Sequence, residues 1–131
     1  MLILPIERKW LDMIFSGEKK DEYRDIKPYW TVRIIHWLGF HSEETETVLE
    51  MLRTQGTIKA HSAILQNGYG CDSPKVEVMC KLSIGTGREE WGAVPGKEYY
   101  RFHIEQIGQM VGIKEGEAED GTEQGVRLGC K

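Results

Sequence analysis

Gly17-Glu18-Lys19-Lys20-Asp21-Glu22-Tyr23-Arg24 is the stretch on which the fold is read. It follows a segment, residues 7–16, in which Trp10, Leu11, Met13, Ile14 and Phe15 recur at three- and four-residue spacing. That is the pattern of an amphipathic helix. Gly17 stops the helix, because glycine takes the positive φ of a helix C-terminus without a steric cost. From Lys19 onward the chain reads as a strand, whose side chains alternate between two faces. Lys20, Glu22 and Arg24 then share one face, and Lys19, Asp21 and Tyr23 the other.

Upstream, Leu2-Ile3-Leu4-Pro5-Ile6 reads as a short first strand. Pro5 lacks an N–H and restricts it to an edge or an end. Downstream, Pro28 breaks the strand that holds Arg24, and the β-branched run at 32–38 predicts another. Ser42 is a suitable N-cap for a helix carrying Val48, Leu49 and Leu52, which Gly56 ends. Polar residues surround that helix, so 38–60 reads as a peripheral insertion. A strand is expected within 58–66, closed by the turn signal Asn67-Gly68. The clearest strand follows, where Val76, Val78, Cys80, Leu82 and Ile84 alternate with polar or exposed partners. Gly85-Thr86-Gly87 reads as a loop leading to Glu89-Glu90-Trp91-Gly92. In a last strand at 98–106, Tyr100, Phe102 and Ile104 face inward, and Tyr99, Arg101, His103 and Glu105 face outward. From Lys114 the chain is rich in Gly and Glu, which predicts a disordered acidic tail at 114–131 behind a single domain at 1–113. The fold expected is α+β: a partly closed β-barrel of five to six strands with a short N-terminal helix and a peripheral helix.

The chain has 131 residues, 40% of them apolar, and a net charge of −4. That length suits one domain, and no apolar run approaches membrane-spanning length. A net negative chain does not coat nucleic acid by charge alone. Its charge is uneven, however. The first 33 residues hold seven basic and six acidic side chains, the rest ten and fifteen, so an anionic ligand is better received near the N-terminal third. Cys71, Cys80 and Cys130 form an odd, widely spaced set, which argues against a disulfide framework and for a reducing, cytoplasmic setting. His36, His41, His61 and His103 have no metal-ligand spacing, so no metal is expected. No cofactor is expected either: Gly85-Thr86-Gly87-Arg88 lacks the Lys-Ser/Thr ending of a phosphate-binding P-loop.

The order of these parts resembles the ASCH domain family, a PUA-like group. The resemblance rests on Leu2-Ile3-Leu4-Pro5, on Lys9-Trp10-Leu11-Asp12-Met13-Ile14, and on Gly17 to Arg24 as a Gly-x-Lys-x-x-Glu-x-Arg segment entering a strand. Bacterial and phage members are also similar at Ile64-Leu65-Gln66-Asn67-Gly68-Tyr69, at Leu82-Ser83-Ile84-Gly85-Thr86-Gly87 with Glu90-Trp91-Gly92, and at Tyr99-Tyr100-Arg101-Phe102-His103-Ile104. The likeness spans residues 2–107 apart from 38–60. It implies RNA or nucleotide binding in a cleft beside the first helix, lined by Lys19, Glu22 and Arg24. Some small members are amidohydrolases acting on N4-acetylcytidine, with a Lys at the position of Lys19 and a Thr nucleophile two residues before the Arg. Here Glu22 stands in place of that Thr, and a carboxylate cannot act as the hydroxyl does without a new mechanism.

The candidate nucleic-acid-binding set is therefore Lys19, Lys20, Glu22, Arg24 and Trp91. If the chain is an enzyme, Lys19 is its base or charge stabiliser and Glu22 its acid or base. Two cations flanking one carboxylate suit a phosphate or a base edge; a local surface ion pair is the plainer alternative. Trp91, after a Gly-rich loop, is the best placed of the tryptophans to stack on a base, whereas Trp10 and Trp37 fit core positions. A protein-interaction domain with an inert cleft is the third possibility, because fold does not fix function.

Overall fold

The computed structural model describes residues 1–111. Leu2–Pro5 forms β1, followed by α1 at Arg8–Phe15 and β2 at Asp21–Asp25. Two further helices come next, α2 at Pro28–Trp37 and α3 at Thr45–Thr54. Three long strands complete the fold: β3 at His61–Gln66, β4 at Lys75–Thr86 and β5 at Glu98–Ile107. The strands make one sheet in the order β1-β3-β4-β5-β2, parallel only between β1 and β3. The sheet curls into a half-barrel, so the architecture is α+β with three helices. The expected tail at 114–131 lies outside the described residues. No helix among the described residues is long and apolar enough to cross a membrane.

The core lies on the concave face. The alternation in β4 buries Val76, Val78, Cys80, Leu82 and Ile84, and β5 adds Tyr100, Phe102 and Ile104. Leu2 and Leu4 of β1, with Ala63 and Leu65 of β3, complete the sheet's contribution. From α1, Leu11 and Ile14 close over it. Cys80 is buried and free, and burial pushes its thiol up to about 12. Cys71 is disulfide-bonded, against the expectation of a fully reduced set.

Two expectations fail in the middle of the chain. Residues 32–38 are not a strand but the body of α2. Pro28 sits in the first turn of that helix, where its missing N–H costs nothing and its fixed φ suits helix entry. Ile34 and Ile35 are then buried, and Trp30, Thr31, Trp37 and Leu38 are half-buried along the same side. Burial of this stripe outweighs the strand preference of β-branched residues, which is a weak local bias. Nor is the helix of the 38–60 segment peripheral. Val48 and Leu52 of α3 enter the core cluster at 2% and 1% exposure, and α3 packs on β4. The Thr57 hydroxyl accepts the Leu82 amide at 2.9 Å, and the Thr57 amide donates to the Leu82 carbonyl at 2.9 Å, fastening the segment to the sheet.

The topology leaves two strand edges, β1 and β2, facing an open seam. A side chain bridges it: Arg24 Nη2, from β2, donates to the Pro5 carbonyl at the end of β1. The candidate site lies there.

Candidate site at the seam of the half-barrel

The site begins with the end of α1. The Ser16, Gly17 and Lys19 amides cap the carbonyls of Asp12, Ile14 and Met13 at 2.9–3.0 Å, and Gly17 takes a φ of +89°. This tight wrap turns Lys19 back beneath the helix, where it is only 2% exposed. Its ammonium lies 5.6 Å from the Trp10 ring centroid and 5.2 Å from that of Tyr23. It donates to the Asp21 carbonyl and, at 2.7 Å, to Glu22 Oε1. Burial lowers the Lys19 pKa, against the opposing pull of Glu22.

Glu22 is 5% exposed and lies on the concave face of β2, opposite Phe102. Its second oxygen accepts from Arg24 Nη1. Arg24 also donates to the Tyr23 carbonyl at 2.6 Å, and its guanidinium lies 5.4 Å from the Trp30 ring centroid. The result is a triad of two cations and one carboxylate, with one positive charge in excess. The shared face of Glu22 and Arg24, expected from strand alternation, is thus real, and the two side chains are bonded to each other.

A cleft of about 230 Å³ opens above this triad. Its walls are Pro5, Ile6 and Glu7 on one side, Glu22, Tyr23 and Arg24 on the other, with Trp10, Trp91, Gly92 and Tyr99 completing the lining. The loop between β4 and β5 brings in Trp91. It is held down by the Arg88 amide, which donates to the Tyr23 hydroxyl at 3.0 Å, and by a one-turn 3-10 helix at Glu89–Trp91. Gly92 ends that turn with a φ of +101° and lies against Trp10; a β-carbon there would come within 3.2 Å of the indole. The Arg88 guanidinium sits 4.8 Å from the Trp91 ring centroid, and the Lys9 ammonium 4.4 Å from that of Trp10. Both indoles therefore carry a cation on one side.

Of the five sequence candidates, Glu22, Arg24 and Trp91 line the cleft. Lys19 lies under it, behind Glu22, and is not on its wall. Lys20 is exposed, immediately before β2, and is not in the cleft lining. Trp10, assigned to the core from the helical stripe, is half-buried and forms a wall; Lys9 beside it was the available signal. Tyr99, read as outward-facing, is buried beneath the β4–β5 loop, with its hydroxyl accepting the Val94 amide at 2.9 Å. Its strand neighbours are also engaged. Arg101 donates to Ser83 and to the Thr86 carbonyl, and His103 Nδ1 lies 2.7 Å from Asp21. Of the residues read as outward-facing, His103 is exposed and Arg101 half-buried, and only Tyr99 departs from that reading. The Gly85-Thr86 part of the expected loop belongs to β4.

Comparison of the chain with protein-family models, with curated proteins and with solved structures gives no match.

Proposed function

We propose that the chain is a PUA-like domain of the ASCH type that binds RNA or a nucleotide in the seam cleft. One observation carries this: Arg24 and two indoles, Trp10 and Trp91, meet at a single cleft over a triad with excess positive charge. A cation and a flat aromatic are the two elements needed to hold one nucleotide, for its phosphate and its base. The net charge of −4 argues for a local site rather than an extended coating surface. The test is binding of short single-stranded and structured RNAs at low salt. Trp91→Ala should weaken binding by about 1–3 kcal/mol, and Arg24→Ala should weaken it and reduce its salt dependence. The absence of detectable binding by the folded protein at low salt would overturn the proposal.

A hydrolase is the second reading, favoured by the buried 2.7 Å contact between Lys19 and Glu22 and the lowered Lys19 pKa. A lysine held below its ordinary range is suited to act as a base. In this arrangement the base would have to work through Glu22, because Lys19 is behind it. A time course with acetylated cytidine and with RNA tests the roles. Turnover that survives both Lys19→Ala and Glu22→Gln would rule them out.

A further inference from the structure

The carbonyls along the two strand edges of the cleft each accept one hydrogen bond already, which leaves each a single lone pair. The Ile104 amide donates to the Lys20 carbonyl at 2.9 Å, which fixes the phase of the β2–β5 ladder. With Glu22 opposite Phe102 and Arg24 opposite Tyr100, those residues turn their backbone groups toward β5. Asp21, Tyr23 and Asp25 turn theirs to the free edge. All three outward carbonyls are occupied: Asp21 by Lys19 Nζ, Tyr23 by Arg24 Nη1, and Asp25 by the Lys27 amide at 3.0 Å. Across the seam, the Pro5 carbonyl takes Arg24 Nη2 and the Ile6 carbonyl takes the Asn67 side-chain amide at 2.9 Å. Both oxygens of Glu22 are engaged by Lys19 and Arg24.

Donors, by contrast, are left over. The Tyr23 N–H points to the free edge and has no partner among the described residues. Nor has the indole N–H of Trp10 or of Trp91; the Trp37 indole, in contrast, donates to the Ser62 carbonyl at 2.8 Å. One lining carboxylate, that of Glu7, is exposed and has no hydrogen-bond partner among the described residues.

We infer that the cleft seats a hydrogen-bond acceptor of its ligand, a phosphoryl or carbonyl oxygen, against the Tyr23 N–H and an indole N–H. This assignment presupposes that the cleft is the nucleotide site proposed above. Its physical basis is the set of unpartnered donors in the lining. A ligand that covers them strips their water, and an acceptor placed against them restores the lost hydrogen bond, whereas a group without an acceptor leaves them unsatisfied.

The experiment is a titration of the ¹⁵N-labelled full chain with uridine 5′-monophosphate, uridine and inorganic phosphate, followed by amide and indole N–H resonances. Trp10→Phe and Trp91→Phe assign the two indole signals. Uridine 5′-monophosphate is expected to move the Tyr23 amide and at least one of the two indole signals downfield, saturably. The same shift with phosphate alone would identify the phosphoryl oxygen as the group bound; with uridine alone it would identify the base carbonyl. Saturable shifts elsewhere around the cleft with the Tyr23 amide and both indoles unmoved would overturn the inference and leave the nucleotide site standing. No saturable shift with any of the three would overturn both.

Discussion

Glu22→Gln isolates what the buried triad contributes. The carboxylate is 5% exposed, and its two partners, Lys19 and Arg24, have side chains exposed by 1% and 12%. The substitution keeps the shape and removes the charge, so two cations are left facing one neutral amide. Removing one partner of a buried ion pair costs about 3–5 kcal/mol, because the remaining charge is uncompensated. Against a whole-domain stability of about 5–15 kcal/mol, that is a large fraction. At about 4 °C per kcal/mol for a chain of this size, the thermal midpoint should fall by about 12–20 °C, read by circular dichroism. A second substitution tests the cause. Lys19→Met added to Glu22→Gln removes the stranded ammonium and should restore most of the loss. The pH dependence supplies a third check. Burial holds the Lys19 pKa below 10.5, so between the folded value and 10.5 the unfolded chain binds more protons and stability rises with pH. That contribution is lost as pH falls through the folded value, and it is absent from Lys19→Met. Comparing the two proteins separates it from Tyr23 and Tyr100, whose raised values act in the opposite direction. A fall of less than about 4 °C for Glu22→Gln would refute the reasoning, since roughly 1 kcal/mol is what a solvated surface pair contributes.

Three further outcomes are expected. Leu52→Ala should destabilise the protein by about 2–5 kcal/mol, because Leu52 is 1% exposed in the core cluster; a loss below about 1 kcal/mol in urea denaturation would return α3 to the periphery. Cys80, fully buried with its thiol raised to about 12, should resist thiol reagents until the protein unfolds, and rapid labelling of the native state would contradict its placement. Hydrogen bonds from Lys97, with help from Lys27, hold the Asp25 carboxyl below 3.8. Stability from that group is therefore present above 3.8 and lost as pH falls through the lower folded value. Lys97→Ala should move the Asp25 titration, followed by carboxyl NMR, back toward 3.8; an unmoved titration would assign the depression elsewhere.

The sequence by itself determined the elements whose periodicity is strong. The stripe of α1, the stop at Gly17 and the alternation of β4 and β5 follow from side-chain spacing alone, and so does the common face of Glu22 and Arg24. It did not determine α2 or the burial of α3. Ile34 and Ile35 fit a strand as well as a helix, and only the open side of the half-barrel, which their burial closes, selects the helix. The cleft was legible only in part. Glu22 and Arg24 lie within one short stretch, whereas Glu7 precedes α1 and Trp10, Trp91 and Tyr99 come from three separate segments of the chain. Which backbone groups at the seam are occupied is likewise a tertiary fact. Local sequence says that Gly17 to Arg24 holds a turn, a lysine and a strand. Only the folding of β2 onto β5, with its other edge turned toward β1, decides that Lys19 is buried and that Arg24 reaches Pro5 across the seam.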